Sequence, residues 1–128
     1  MLIDGFETIC VKKSKRTNIT ISITKHGVNF NKACLENIDY PENVIFKIKR
    51  EDSLLALIPS QEDVNESVPF ANGKKSINVR INNRDFTELL KSLIDTELVK
   101  NFDAFRVTGK YYDIENMVIF DFKEAKSI

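Results

Sequence analysis

Residues 44–58 of the chain, VIFKIKREDSLLALI, predict a β-hairpin. Over residues 44–49, the apolar residues 44, 46 and 48 alternate with Ile45, Lys47 and Lys49. This is the period-two pattern of a strand with one buried face. Residues 50–53 are polar and supply a four-residue turn. Residues 54–58 are apolar throughout, and such a strand lies near the centre of a sheet or between two layers. The fold is therefore expected to be built around this hairpin.

The first half of the chain adds a strand and a short helix to the hairpin. In residues 18–24, isoleucine alternates with asparagine, threonine and serine, which predicts a half-buried strand. His26 and Gly27 end this pattern and predict a turn. Residues 31–37 suit a short helix, which must stop before Pro41. The predicted order is strand, helix, strand, strand.

The second half has the same predicted order. Residues 77–82 alternate between apolar and polar side chains and predict a strand. Apolar residues recur at spacings of three and four over residues 86–94, which predicts a helix that Asn82 or Asn83 can cap. Residues 105–112 and 117–122 predict a closing hairpin around a polar turn.

These elements predict an α+β fold in one compact domain. Residues 1–60 are expected to form an N-terminal βαββ half, residues 61–75 a linker, and residues 76–128 a C-terminal βαββ half. The halves are expected to form a mixed sheet or a barrel, with a pseudo-two-fold axis if the chain arose by internal duplication. A chain of 128 residues, 42% of them hydrophobic, can fold without disulfides or a structural metal.

The reactive side chains argue against catalysis. The one histidine, His26, lies in a predicted turn, and the two cysteines, Cys10 and Cys34, are too far apart for a metal knuckle. Both thiols are expected to be buried. The four glycines are isolated, so neither a phosphate-cradling loop nor a dinucleotide fingerprint is present. We therefore expect a protein that is not an enzyme and that uses no metal ion and no other cofactor.

Basic residues cluster at one place in a sequence whose nineteen basic and nineteen acidic side chains cancel. The run Lys12, Lys13, Lys15 and Arg16 precedes the first predicted strand, and Lys25 follows that strand. Lysine and arginine contact nucleic-acid phosphates, so these five residues are predicted nucleic-acid contacts. The alternative is a solvated lead-in whose lysines protect a sheet edge from aggregation.

Acidic residues cluster in the predicted turns and in the linker. Solvated carboxylates are expected in such places, but they can also imitate phosphates toward a basic partner. Tyr111 and Tyr112 are adjacent on a predicted strand, so one of them is expected to be exposed. The predicted protein-binding residues are Glu51, Asp52, Glu62, Asp63, Tyr111, Tyr112, Asp113 and Glu115.

Residues 24–30, TKHGVNF, followed by a short helix, residues 38–41 and the 44–58 hairpin, resemble the swapped-hairpin AbrB-type transcription regulators. The likeness covers about forty residues (18–58) and implies dimerisation through interlocked hairpins and DNA contact from one face. The chain departs from the family at Val28, where the family has a basic residue, and it lacks the family's proline before the helix. It also resembles small proteins of phages and mobile elements of low-GC Gram-positive bacteria.

The leading hypothesis is a small, non-catalytic binding protein with a regulatory role on a mobile element, which contacts nucleic acid through the basic residues and can form a homodimer. The alternative is a phage factor that inhibits a host defence complex through its acidic turns. No segment reaches the roughly eighteen apolar residues that cross a bilayer. We therefore expect a cytoplasmic protein without a membrane partner.

Overall fold

The computed structural model describes residue 5 and residues 18–60, 66–73 and 76–128. In this part of the chain three segments are α-helical, namely α1 (Lys32–Asn37), α2 (Arg84–Lys91) and α3 (Thr96–Asn101). Nine segments are strands, namely β1 (Thr20–Thr24), β2 (Gly27–Phe30), β3 (Asn43–Lys49), β4 (Leu54–Ser60), β5 (Val68–Pro69), β6 (Val79–Ile81), β7 (Phe105–Tyr112), β8 (Met117–Asp121) and β9 (Lys126–Ser127).

The strands form one curled, antiparallel half-barrel sheet. Its order is β5-β3-β4-β8-β7-β1-β2-β6, with β9 beside β7. The α+β class is thus confirmed, but a mixed sheet is not found, because every pair of described strands is antiparallel. The helical connections explain this result, since α1 leads from β2 to β3 and the α2–α3 segment from β6 to β7, and neither pair of strands is adjacent.

The predicted central hairpin is confirmed. Strand β3 pairs with β4 from Asn43↔Ser60 to Lys49↔Leu54, and the turn between them is a short 3-10 segment, Arg50–Asp52, followed by Ser53. Strand β4 lies between β3 and β8, as its apolar residues on both faces predict. The closing hairpin is confirmed as β7 and β8.

Asparagine caps start the two predicted helices. The Asn31 Oδ1 accepts a hydrogen bond from the backbone N–H of Cys34 at 3.1 Å, and the Asn83 Oδ1 accepts one from Phe86 at 3.0 Å. Helix α2 ends at Lys91, although the apolar pattern continues to Ile94. The buried residues beyond Lys91 lie in turns that connect α2 to α3, a helix that the sequence analysis did not predict.

Strand β2 is also absent from the predicted order, so the first half has two strands before its helix. Gly27 begins β2 with a φ of 120°, which favours glycine in the turn from β1, and the close approach of β6 also requires glycine because a Cβ there would lie 2.6 Å from the Ile81 carbonyl oxygen. The turn that the sequence predicts at Gly27 is therefore real, but it leads into another strand. Only four residues long, β2 is too short to give a periodic signal.

Within the described residues, the helices and one face of the sheet enclose one hydrophobic core. Phe30 lies at its centre with no exposed surface, and its ring centroid lies 5.7 Å from that of Phe46, 5.1 Å from Phe70 and 6.2 Å from Phe120. Cys34 and Leu35 of α1 and Leu90 of α2 belong to the same core.

Candidate anion-binding surface

Charge is distributed unevenly over the described elements. The strands carry six basic side chains and one acidic side chain, which are Lys47, Lys49, Arg80, Arg106, Lys110 and Lys126 against Asp121. The helices carry four of each sign, and the acidic excess lies in turns and loops. The net charge of zero thus hides a basic sheet surface.

The basic side chains of the strands lie on the solvent face of the sheet. Side chains alternate between the two faces of a strand, and Arg106 stands between Phe105 and Val107, which are both fully buried. Arg80 is likewise exposed next to the buried Val79. These arginines therefore point away from the core.

Three basic residues of this face fall in one row across five strands. The register places Lys126 opposite Arg106, Arg106 opposite Ser22, Ser22 opposite Asn29, and Asn29 opposite Arg80. We call these five residues the basic row. With neighbouring strands about 4.8 Å apart, the row is about 19 Å long.

Polar groups occupy the middle of the basic row. Ser22 supplies a hydroxyl, and Asn29 supplies an amide whose Oδ1 is buried and accepts no hydrogen bond. A buried acceptor without a donor costs about 1–3 kcal/mol.

A second row on the same face has lysines at its ends and aliphatic side chains between them. The register runs from Lys47 through Ala56 and Ile119 to Lys110. The Lys110 Nζ lies 5.4 Å from the centroid of the Tyr112 ring, which is close enough for a cation–π contact. The basic character of the face therefore extends from β3 to β6.

Lys25 is the one predicted nucleic-acid contact that the structure describes, and it is exposed in the turn between β1 and β2. It borders a cleft of about 360 Å³ between this turn and α2. We call it the Lys25 cleft, and its lining residues are Thr24, Lys25, Gly27, Asn82, Arg84, Thr87, Glu88 and Lys91. The other predicted contacts, Lys12, Lys13, Lys15 and Arg16, lie outside the described residues.

The structure separates the predicted acidic turns. Glu51 and Asp52 lie in the turn between β3 and β4, beside the end of β8, whereas Asp113 and Glu115 lie in the turn between β7 and β8. Because β4 and β8 are antiparallel, these turns are at opposite ends of the pair. Glu62 and Asp63 lie outside the described residues.

Asp52 is partly neutralised by lysines. The Lys49 Nζ lies 2.8 Å from the Asp52 Oδ2, and the Lys123 Nζ donates to the Asp52 carbonyl oxygen. The hydrogen bond and the charge of Lys49 lower the pKa of Asp52, and the same contact raises the pKa of Lys49. This turn therefore presents less negative charge than its sequence indicates.

The tyrosine pair divides as predicted. The Tyr111 side chain is half-buried against the core, and its hydroxyl donates to the Asn116 Oδ1 at 2.8 Å. Tyr112 is on the other face of β7 and is 37% exposed. Tyr112 is therefore the member of the pair that a partner can reach.

The described groups with reactive potential are separated from one another. His26 is exposed in the turn between β1 and β2, whereas Cys34 is buried in the core, and Cys10 lies outside the described residues. Burial raises the pKa of the Cys34 thiol to about 12. In the described ranges, no three His, Cys, Asp or Glu side chains are grouped closely enough to hold a metal ion.

We expect native Cys34 to resist alkylation, because its raised pKa keeps it a thiol and burial blocks access. In a Cys10→Ser variant, iodoacetamide at pH 8 should label Cys34 only after unfolding in urea, as read by mass spectrometry. The raised pKa also makes the native state less stable relative to the unfolded state as pH rises above 9 toward 12. Rapid labelling of the folded variant would contradict this account.

Comparison of the chain with models of protein families, with curated proteins and with solved structures found no match. Among the described helices, none has the length and apolar character that a membrane crossing requires. The candidate surface therefore has to be interpreted from its own chemistry.

Proposed function

We propose that the protein is a non-catalytic binding protein that holds nucleic acid on the solvent face of its sheet. The observation that carries this proposal is the charge of the strands, six basic residues against one acidic residue, with three of the basic ones aligned in the basic row. Arginine forms bidentate contacts with phosphate, and hydroxyl and amide groups supply neutral contacts beside it. Such a surface binds the sugar–phosphate backbone with little dependence on base sequence.

As in the leading hypothesis from the sequence, we propose that the protein has a regulatory role on a phage or another mobile element. The Lys12 to Arg16 run and Lys25 would add to the basic row as further phosphate contacts. A homodimer of the AbrB type remains a proposal as well, and the pairing of the β3–β4 hairpin with β5 and β8 of its own chain gives it no support.

The alternative, inhibition of a host complex through the acidic turns, has less support. Its described carboxylates lie at opposite ends of the β4–β8 pair, and Asp52 is paired with Lys49. To imitate nucleic acid toward a basic groove of the partner, the protein would need these carboxylates on one surface. We therefore place nucleic-acid binding first.

The internal duplication is proposed together with this function. If β1–β4 are exchanged for β5–β8, the pair β3·β4 becomes β7·β8 and β1·β7 becomes β5·β3, whereas β4·β8 and β2·β6 map onto themselves. The pairs β1·β2 and β7·β9 have no counterpart among the described pairs. The agreement of the other pairs supports two related halves around a pseudo-two-fold axis.

The turns of the two hairpins add local support for the duplication. Ser53 has a φ of 55° and its N–H donates to the Arg50 carbonyl, while Asn116 has a φ of 50° and donates to the Asp113 carbonyl. Both donors thus occupy the left-handed region at the same position of a four-residue turn. This geometry aligns β3 with β7 and β4 with β8.

We expect Ser53→Gly to raise the free energy of unfolding by about 0.5–1 kcal/mol, because glycine adopts a positive φ without the steric cost that serine incurs. Ser60→Gly in β4 is the matched control and should be destabilising, since glycine weakens an extended strand. Urea denaturation measures both. Destabilisation by Ser53→Gly would contradict the left-handed turn on which the comparison of the hairpins rests.

The proposed function is tested by fluorescence anisotropy with labelled single-stranded DNA, duplex DNA, RNA and a poly-glutamate peptide in 50 mM salt. We expect the nucleic acids to bind and the peptide to bind weakly, because only nucleic acid offers phosphates for the arginines of the basic row. Failure of all three nucleic acids to bind would refute the proposal. Equal binding of the peptide would show a general polyanion site instead.

A further inference from the structure

The Lys25 cleft continues the solvent face on which the basic row lies. Thr24 is two residues beyond Ser22 on β1, and Asn82 is two residues beyond Arg80, so both share the face of the row. Gly27 pairs with Thr24, and a Cβ placed at Gly27 would lie 3.2 Å from the Asn82 Cα, so Gly27 and Asn82 are in close contact. At about 3.3 Å per residue, the cleft begins about 7 Å from the basic row.

The cleft has an excess of positive charge. Lys25 enters from the turn between β1 and β2, and Arg84 and Lys91 come from the first and last turns of α2. Glu88 is the single acidic group in the lining. Within the described residues none of these three cations forms an ion pair, since the two described pairs are Lys49–Asp52 and Lys123–Asp121.

The size and the polar lining of the cleft fit a small phosphorylated group. Its volume of about 360 Å³ falls in the range of small-molecule sites, about 300–1,000 Å³. Thr24 and Asn82 add neutral groups beside the three cations. A phosphomonoester carries a charge between about −1.5 and −2 at neutral pH and presents three acceptor oxygens, whereas a phosphodiester within a strand carries a single charge.

We propose that the Lys25 cleft binds a phosphomonoester, with Lys25, Arg84 and Lys91 as its cationic contacts. The phosphate group could belong to the end of a nucleic-acid strand that lies on the basic row or to a free nucleotide. The first source rests on the proposed function, whereas the second does not. The cleft would give the protein a preference for phosphorylated strand ends, beyond backbone binding.

The experiment compares one single-stranded DNA dodecamer with a 5′-phosphate, with a 3′-phosphate and with hydroxyls at both ends, in anisotropy titrations at fixed salt. We expect one of the end phosphates to tighten binding about tenfold, which corresponds to one added charge-assisted contact of roughly 1.4 kcal/mol. Titration with adenosine monophosphate, followed through the amide resonances of Thr24 and Gly27, tests the free-nucleotide source.

The double variant Arg84→Gln and Lys91→Gln should lose the gain from the end phosphate and keep the affinity for the hydroxyl-ended strand within about twofold, because neither residue is a proposed backbone contact. Arg50→Gln with Lys100→Gln is the matched control, because both residues are exposed and lie outside the cleft and the basic row. It should behave as the unaltered protein does. Circular dichroism confirms that each variant is folded.

The outcomes separate this inference from the proposed function. Equal affinity for all three strands, together with unshifted Thr24 and Gly27 resonances in adenosine monophosphate, overturns the inference and leaves backbone binding intact. An end-phosphate gain that survives in the double variant also overturns it. If no strand binds but adenosine monophosphate shifts both resonances in an Arg84- and Lys91-dependent way, the proposed function fails and the cleft is a nucleotide site.

Discussion

Replacing Phe30 by alanine is expected to lower the free energy of unfolding by about 3–5 kcal/mol, a large part of the stability of a domain this size. Phe30 has no exposed surface, and its ring contacts those of Phe46, Phe70 and Phe120. The truncation leaves a cavity where the β2 strand meets β3, β8 and the segment after β5. Urea denaturation followed by circular dichroism measures the loss.

Phe102→Ala is the control for this prediction. Phe102 is 47% exposed at the end of α3, so its truncation should change the free energy of unfolding by about 0.5 kcal/mol or less. Similar effects of the two substitutions would contradict the placement of Phe30 at the centre of one core. That placement also sets which face of β2 carries Asn29, and hence the position of the basic row.

The double variant Arg80→Glu with Arg106→Glu is expected to weaken the binding free energy for nucleic acid by about 3 kcal/mol. This raises Kd more than about a hundredfold. Two phosphate contacts are lost, and two carboxylates are placed where phosphates would lie. Both side chains are exposed and outside the core, so the fold should persist. Anisotropy with single-stranded DNA measures the affinity.

The matched control reverses two basic residues elsewhere, as Arg50→Glu with Lys100→Glu. The net charge of the protein changes by the same amount, but neither residue lies in the basic row or borders the Lys25 cleft. We expect a loss of about threefold or less, from the long-range field alone. An equal loss in both double variants would mean that overall charge, rather than the basic row, determines binding.

Local sequence patterns were sufficient for the elements that lie close together in the chain. The β3–β4 hairpin, the closing hairpin and the cap at Asn83 follow from alternation, turn composition and capping chemistry over a few residues. Strand β2 and helix α3 were missed because each is too short to give a periodic signal. Tertiary packing, which places Val28 and Phe30 in the core, stabilises β2.

The candidate site depends on pairings that a sequence does not reveal by itself. Alternation on β6 and β7 places Arg80 and Arg106 on outward faces, so each could have been recognised as exposed. The basic row, however, requires β1 to lie beside β7 and β2 beside β6, with residues 22, 29, 80 and 106 in register. Lys25 was predicted as a contact from its place after the first strand. Arg84 and Lys91 were not, because only the tertiary placement of α2 brings them beside Lys25.

The most direct test of the account is the salt dependence of binding to single-stranded DNA, measured from 50 to 300 mM NaCl for the unaltered protein and for a variant with Arg80→Gln, Arg106→Gln and Lys126→Gln. Each phosphate contact contributes about −0.7 to the slope of log K against log salt. We expect the variant's slope to be shallower by about 2, because three contacts are removed. Equal slopes for the two proteins would contradict the central claim that the basic row holds the nucleic-acid backbone.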